Sequence, residues 1–209
     1  MKIAVHVPVF GRHEAFRIFA AWAIKSKVSP VICIVSNDAD EELAQEYGFK
    51  TVYADNRPFG VKLQTGLIFA KRFKFDALLF MGSDDTLEGL DKYKEALKDY
   101  DFIACGDCHF KDLETGREGY WPGYTNHRKG EPAGAARCFS RDLLNRLDWD
   151  LWKNCPESGA DGRQYARLNT VPHTKKIFTK KDGVILTDHK DKDSLTKFNT
   201  LLASIKSSI

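Results

Sequence analysis

The sequence predicts an α/β protein in which a mostly parallel central sheet is covered by helices on both faces. Two observations carry that expectation. Strand-like and helix-like segments alternate through the first half with short connections, the pattern of repeated strand–helix–strand units. Within them, Ala77 to Met81 is apolar at every position, which marks a central strand buried on both faces. A chain of 209 residues suits one domain with a proper core, and no internal repeat divides it.

Ile3 to Phe10 read as the first apolar strand, leading through Gly11-Arg12-His13 into a helix from about Glu14 to Lys25. Pro30 precedes a second strand, Val31 to Ser36, closed by Asn37 and Asp38. A helix from about Glu41 to Tyr47 follows, and Gly48 is a natural stop because only glycine enters the left-handed region without strain. Thr51 to Ala54 form a short third strand before the loop Asp55 to Gly60. Helical periodicity returns over Val61 to Phe73, with apolar residues at 63, 67, 68 and 70. The Ala77 strand closes this set. Further on, Leu90 to Leu97 read as a helix and Phe102 to Cys105 as a strand. The stretch from His109 to Gly134 is rich in Gly, Pro, aromatic and charged residues and reads as a long loop, of a length that is usually functional or mobile. Ser140 is placed to cap a helix over Arg141 to Leu147. Asp161 to Leu168 and an amphipathic tail from Ser194 to Ile205 complete the helices.

Composition narrows the function classes. A formal net charge of +3 permits an anionic ligand without requiring a polyanion. No apolar run reaches bilayer length and MKIAVHVPVF lacks the plan of a signal peptide, so a cytoplasmic protein is expected. Five scattered cysteines (Cys33, Cys105, Cys108, Cys138 and Cys155) then read as reduced thiols. Cys105-Gly106-Asp107-Cys108-His109 fits the spacing of covalent haem attachment, but that chemistry requires export, and no second pair completes a zinc site. The chain holds neither G-x-G-x-x-G nor G-x-x-x-x-G-K-[ST], which argues against dinucleotide-dependent dehydrogenases and P-loop NTPases.

Chemistry is instead expected at the strand ends. Gly82 and Ser83 break the Ala77 strand, and Asp84 and Asp85 emerge at its carboxyl end, where open α/β sheets bind ligands. Adjacent carboxylates repel each other, and a divalent cation relieves that repulsion. Arg12, Asn37-Asp38 and Asn56 to Gly60 follow the other three strands. In a parallel sheet all four clusters share one edge, suited to gripping a nucleotide with a cation against its phosphates.

The order V-P-V-F-G-R, S-N-D, N-R-P-F-G-V-K-L-Q-T-G-L and F-M-G-S-D-D resembles the nucleotide-sugar-binding half of GT-A glycosyltransferases, nearest to family 2. The likeness is best over the first 90 residues and continues more loosely through residues 130–141 and 159–162. It implies a single GT-A-like domain over 1–209, with a nucleotide-sugar-binding half (1–90) and an acceptor-side half (91–209) ending in a helix. It further implies a glycosyltransferase using a nucleoside-diphosphate sugar, UDP-linked by preference, with Mn²⁺ or Mg²⁺. The acceptor is a hydroxyl of a glycan, a protein or a hydroxymethylated DNA base, the last suggested by Lys175, Lys176, Lys180 and Lys181. Position by position, Pro8, Phe10 and Arg12 would lie along base and ribose. Asp38 would contact base or ribose, and Lys62 would approach the base or diphosphate. Asp84 and Asp85 stand at the D-x-D metal motif, with Gly82 in its first acidic place. His189 matches a late metal-binding histidine, and Asp161 the base of inverting members. Two alternatives stay open: a sugar-phosphate nucleotidyltransferase of similar fold, and a nucleotide-sugar-binding module without turnover, which Gly82 favours.

Overall fold

A computed structural model describes residues 1–152, 159–192, 194 and 198. In chain order the elements are β1 (Ile3–Pro8), α1 (His13–Lys25), β2 (Val31–Val35), α2 (Asp38–Glu46), β3 (Lys50–Tyr53), α3 (Phe59–Ala70) and β4 (Ala77–Phe80). There follow β5 (Asp85–Glu88), α4 (Leu90–Ala96), β6 (Phe102–Cys105), β7 (Cys108–Asp112), β8 (Glu118–Trp121) and β9 (Arg137–Ser140). The chain continues through α5 (Arg141–Arg146), α6 (Ala160–Leu168), β10 (Lys175–Phe178) and β11 (Ile185–Lys190).

Seven strands form the main sheet in the order β10-β6-β9-β4-β1-β2-β3. The pairs β1–β2, β1–β4, β2–β3 and β6–β10 are parallel, while β9 runs antiparallel to both β4 and β6. The mostly parallel sheet read from the sequence is therefore present. Its central strands β1, β2 and β4 are apolar on both faces because both faces are covered. Alternate residues of β1 feed two cores. Ile3, Val5 and Val7 pack with Phe16 and Phe19 of α1, whereas Ala4 packs with Leu63 and Leu67 of α3 and Leu143 of α5. The outer strand β10 carries Lys175, exposed at an edge, which discourages pairing with another chain.

A second sheet, β5-β11-β7-β8, was not anticipated. The region expected as one long loop from His109 contains most of β7 and all of β8, paired antiparallel from Cys108↔Trp121 to Lys111↔Glu118. Local composition hid these strands because Gly, Pro and charged residues dominate their flanks, and pairing with β11 overrides weak propensity. Asp85 begins β5.

Several local readings hold. Ser140 accepts a hydrogen bond from the Leu143 backbone N–H (3.1 Å), capping α5, and Gly48 sits at φ 71° after α2. The α2 helix starts at Asp38, earlier than its apolar residues indicate, because Asn37 accepts from the Asp40 N–H at 2.9 Å. Cys33, Cys105, Cys108 and Cys138 are buried free thiols; the Cys105 Sγ lies 3.2 Å from the Tyr93 hydroxyl. Cys155 and the expected helix from Ser194 to Ile205 lie outside the described residues, apart from positions 194 and 198. Among the described residues no helix is long and apolar enough to cross a membrane.

Candidate active site at the carboxyl edge of the sheet

The abrupt end of β4 builds the acidic part of the site. After Met81, Gly82 and Ser83 turn the chain so that Asp84 and Asp85 emerge where β5 begins, and β5 pairs antiparallel with β11 in a register that sets Asp85 opposite Asp188. Strand alternation sends Leu186, Asp188 and Lys190 to one face of β11, toward a common cavity. One carboxylate oxygen from each of Asp84, Asp85 and Asp188 lies within 4.8 Å of the others.

A side chain at position 82 would displace the two carboxylates. A Cβ there would lie 2.6 Å from Asp85 Oδ2 and 2.8 Å from Asp84 Oδ1. The Gly82 N–H donates to Asp85 Oδ2 at 2.6 Å. Burial, reinforced by the charges of Asp188 and Asp84, pushes the Asp85 carboxyl well above the usual carboxylate range. Asp188 is pushed up to about 7, chiefly by burial and then by Asp84, with Lys190 opposing. Two cations face the three acids. The Arg12 guanidinium pairs with Asp84 Oδ2 and donates to Ser83 Oγ at 3.3 Å. The Lys190 ammonium lies 2.6 Å from Asp188 Oδ2 and 4.0 Å from Asp84 Oδ2. Asp188 Oδ1 is buried with no hydrogen-bond partner among the described residues. Convergent carboxylates, one with an orphaned buried oxygen, fit a hard divalent cation such as Mn²⁺ or Mg²⁺.

Arg12 reaches Asp84 because of its backbone. It precedes α1 in the left-handed region (φ 53°), a conformation costing a non-glycine residue about 1–2 kcal/mol. The loop around it is pinned by Asp40, fully buried, which accepts from the Gly11 N–H (3.0 Å) and Asn37 Nδ2 (2.9 Å) and lies 2.9 Å from His13 Nε2.

The cavity has a volume of about 530 Å³ and also receives Pro8, Arg12, Trp121, Tyr124, Asp161 and Gln164. Asp161 lies in the first turn of α6. Its carboxylate rests against Gly134, whose added Cβ would come within 2.3 Å of Asp161 Oδ2. Arg137, fully buried, fixes this arrangement: Nη1 donates to the Asp161 carbonyl (2.6 Å) and Gln164 Oε1 (3.1 Å), and Nε to the Ala133 carbonyl (2.7 Å). Its Nη2 donates to the Pro132 carbonyl (2.9 Å) and Glu131 Oε1 (3.1 Å). Apolar depth comes from Phe80 and Trp152, which pack against His6. A carbonyl only accepts, so His6 Nε2, 2.9 Å from the Leu63 oxygen, carries the ring proton, and burial lowers the His6 pKa to about 4.

The fold thus gathers Pro8, Arg12, Asp84, Asp85 and Asp161 around one cavity. Four other sequence-selected residues are placed differently. Phe10 is 54% exposed, with its ring 5.5 Å from the Lys62 ammonium, and does not line the cavity. Asp38 accepts a hydrogen bond from the Tyr53 hydroxyl. Lys62 is fully buried, donating to the Val9 carbonyl (2.6 Å), Ser36 Oγ (2.8 Å) and Asn56 Oδ1 (3.1 Å), so it ties together the segments after β1, β2 and β3. A helix position beside three oxygen acceptors encloses its charge rather than presenting it. His189 is not among the residues whose ligand atoms converge: its Nε2 lies 3.0 Å from Thr86 Oγ1, and its backbone N–H donates to the Asp84 carbonyl at 2.8 Å. Asp188, Lys190, Asp40 and Arg137 were missed. The run Ile185 to Lys190, two apolar residues followed by four polar ones, carries no period-two signal that would have found the first two.

No family model matches the chain, and no curated protein matches it. Solved structures do. TarS from S. aureus (its residues 1–349) aligns with TM-score 0.62 at 15% identity, covering 90% of this chain and 60% of that one, and its complex with UDP-GlcNAc aligns at 0.60. The mannosyltransferase PcManGT from Pyrobaculum calidifontis, in complex with GDP-Man and Mn²⁺, aligns at 0.59 with 14% identity, covering 90% and 56%. CMP:2-keto-3-deoxy-manno-octonic acid synthetase complexed with CTP aligns at 0.53 with 10% identity, covering 99% and 98%. This chain therefore has a GT-A-like fold, and spans about three fifths of the TarS 1–349 chain.

Proposed function

We propose that the protein is a metal-dependent glycosyltransferase that moves a sugar from a nucleoside-diphosphate donor, with UDP-sugars the first to test, onto an acceptor hydroxyl. The observation that carries this reading is one cavity lined by the acidic cluster of Asp84, Asp85 and Asp188 and also by Asp161. The nucleotide-sugar complexes of TarS and PcManGT, which share the fold, support it.

Asp84, Asp85 and Asp188 would hold Mn²⁺ or Mg²⁺, with Asp188 supplying the third carboxylate that Gly82 does not. Such an ion, when bound, supplies Lewis-acid stabilisation of the departing diphosphate. Arg12 adds a fixed positive charge beside Asp84, where phosphate oxygens would lie. Pro8, which lines the cavity, offers the nucleoside apolar surface. Asp161 accepts the proton of the acceptor hydroxyl as its oxygen attacks the anomeric carbon, opposite the leaving diphosphate, which inverts that carbon. Trp121 and Tyr124, edge to face with centroids 4.7 Å apart, offer aromatic surface to a sugar and exclude water.

The test is a screen of nucleotide-sugars for thermal stabilisation with and without Mn²⁺, followed by donor hydrolysis. Metal-dependent stabilisation by one donor, with slow release of its nucleoside diphosphate, is expected. Binding without hydrolysis or transfer would reduce the protein to a binding module, and pyrophosphate release from a nucleoside triphosphate would make it a nucleotidyltransferase.

A further inference from the structure

Lys190 is an unusual neighbour for a metal site. It is the last residue of β11, 8% exposed, with its backbone carbonyl held by the Leu113 N–H at 2.8 Å. Its ammonium sits among the carboxylates a cation would use, 2.6 Å from Asp188 and 4.0 Å from Asp84. Asp84 Oδ2 also carries Arg12. Three acids thus face two fixed cations in a place mostly hidden from water. A divalent ion added to that group alone would turn a small negative excess into a positive one, which burial penalises. A diphosphate brings the missing negative charge. Its oxygens also give the two cationic side chains somewhere else to bind.

We propose that Lys190 is a resident counter-ion that makes metal binding conditional on the donor diphosphate. Without donor, the ammonium holds Asp188 and Asp84 together and competes with the metal for their oxygens. When a nucleoside diphosphate enters, the flexible four-carbon stem lets the ammonium turn from Asp188 to a phosphate oxygen, and the freed carboxylate oxygens take the ion. Asp188 Oδ1, buried without a partner among the described residues, is the oxygen left waiting in the donor-free state. The lysine thereby withholds the metal from an empty site. This inference rests on the metal-dependent reading above and concerns the order and coupling of binding, not the chemistry of transfer.

The experiment is a Mn²⁺ titration of the full chain, followed by electron paramagnetic resonance of the free ion, with and without UDP. Wild type, Lys190→Met and Lys190→Arg are compared. Wild type is expected to bind Mn²⁺ weakly alone and more tightly with UDP. Lys190→Met should bind Mn²⁺ alone about tenfold more tightly than wild type and gain correspondingly less from UDP, within the usual range of coupling between two ligands. Lys190→Arg should keep the wild-type pattern. Lys190→Gln replaces Lys190→Met if circular dichroism shows the latter unfolded. A neutral variant that is folded and binds Mn²⁺ alone no more tightly than wild type overturns the role of Lys190 while leaving the metal site standing. Absence of Mn²⁺ binding by every variant, with UDP present, overturns both.

Discussion

Asp188 stands directly across from Asp85 in the antiparallel pairing of β11 with β5, and this pairing completes a three-carboxylate cluster. Neighbouring backbones a few ångströms apart bring together side chains about a hundred residues apart in sequence. Alternation along β11 brings Asp188 to Asp84 and Asp85 and sets the adjacent His189 beside Thr86.

Asp188→Asn is expected to remove most of the Mn²⁺-dependent thermal stabilisation by UDP, whereas His189→Gln keeps it. At a ligand concentration of about 100 Kd that stabilisation amounts to about 2.7 kcal/mol, so a hundredfold loss of affinity is readily seen. The reverse ranking would return the ligand role to His189.

Asp161→Asn keeps the shape of the α6 terminus and removes the proton acceptor. Turnover should fall by about 10²–10⁴-fold while calorimetric affinity for UDP and Mn²⁺ is unchanged. Equal loss of donor affinity would place Asp161 in binding rather than proton transfer.

Arg137→Ala leaves Glu131, Gln164 and three backbone carbonyls without their shared donor in a buried place. Breaking such a charged network costs about 3–5 kcal/mol. Chemical denaturation should show that loss, and Arg137→Lys should recover only part of it because an ammonium lacks the planar fork.

Burial lowers the pKa of Lys62 to about 8, with Asp40 opposing. Between about pH 8 and the ordinary lysine value near 10.4 the unfolded chain therefore holds more proton at this residue than the folded one. Its contribution to stability rises with pH across that window and is flat below it. The stability of wild type relative to Lys62→Met should accordingly increase from pH 8 to 10, measured by urea denaturation. A difference that is constant or falls over that range contradicts the assigned burial of the charge.

Much of the amino-terminal half was legible in the chain. Apolar runs at Ile3, Val31 and Ala77 gave the covered strands, and short strand–helix connections gave their parallel order, so Arg12 and Asp84 could be placed at one edge from residue order alone. Asp161 was legible as a carboxylate opening a helix. The placement of Lys62 was not, because a lysine in an amphipathic helix reads the same whether its ammonium meets water or three enclosed oxygens. The second sheet escaped for a related reason: β5, β7, β8 and β11 are mixed in polarity, and β11 is far in sequence from the two strands it pairs with, β5 and β7.

The sequence by itself determined which strands are buried on both faces and which of their ends carry acids and bases, because burial and period are written in neighbouring residues. Only the tertiary structure decided which acids meet. The convergence of Asp188 on Asp84 and Asp85 depends on the register of two strands distant in sequence. Alternation states which face a side chain takes, and the partner across the ladder is chosen by the folded chain as a whole.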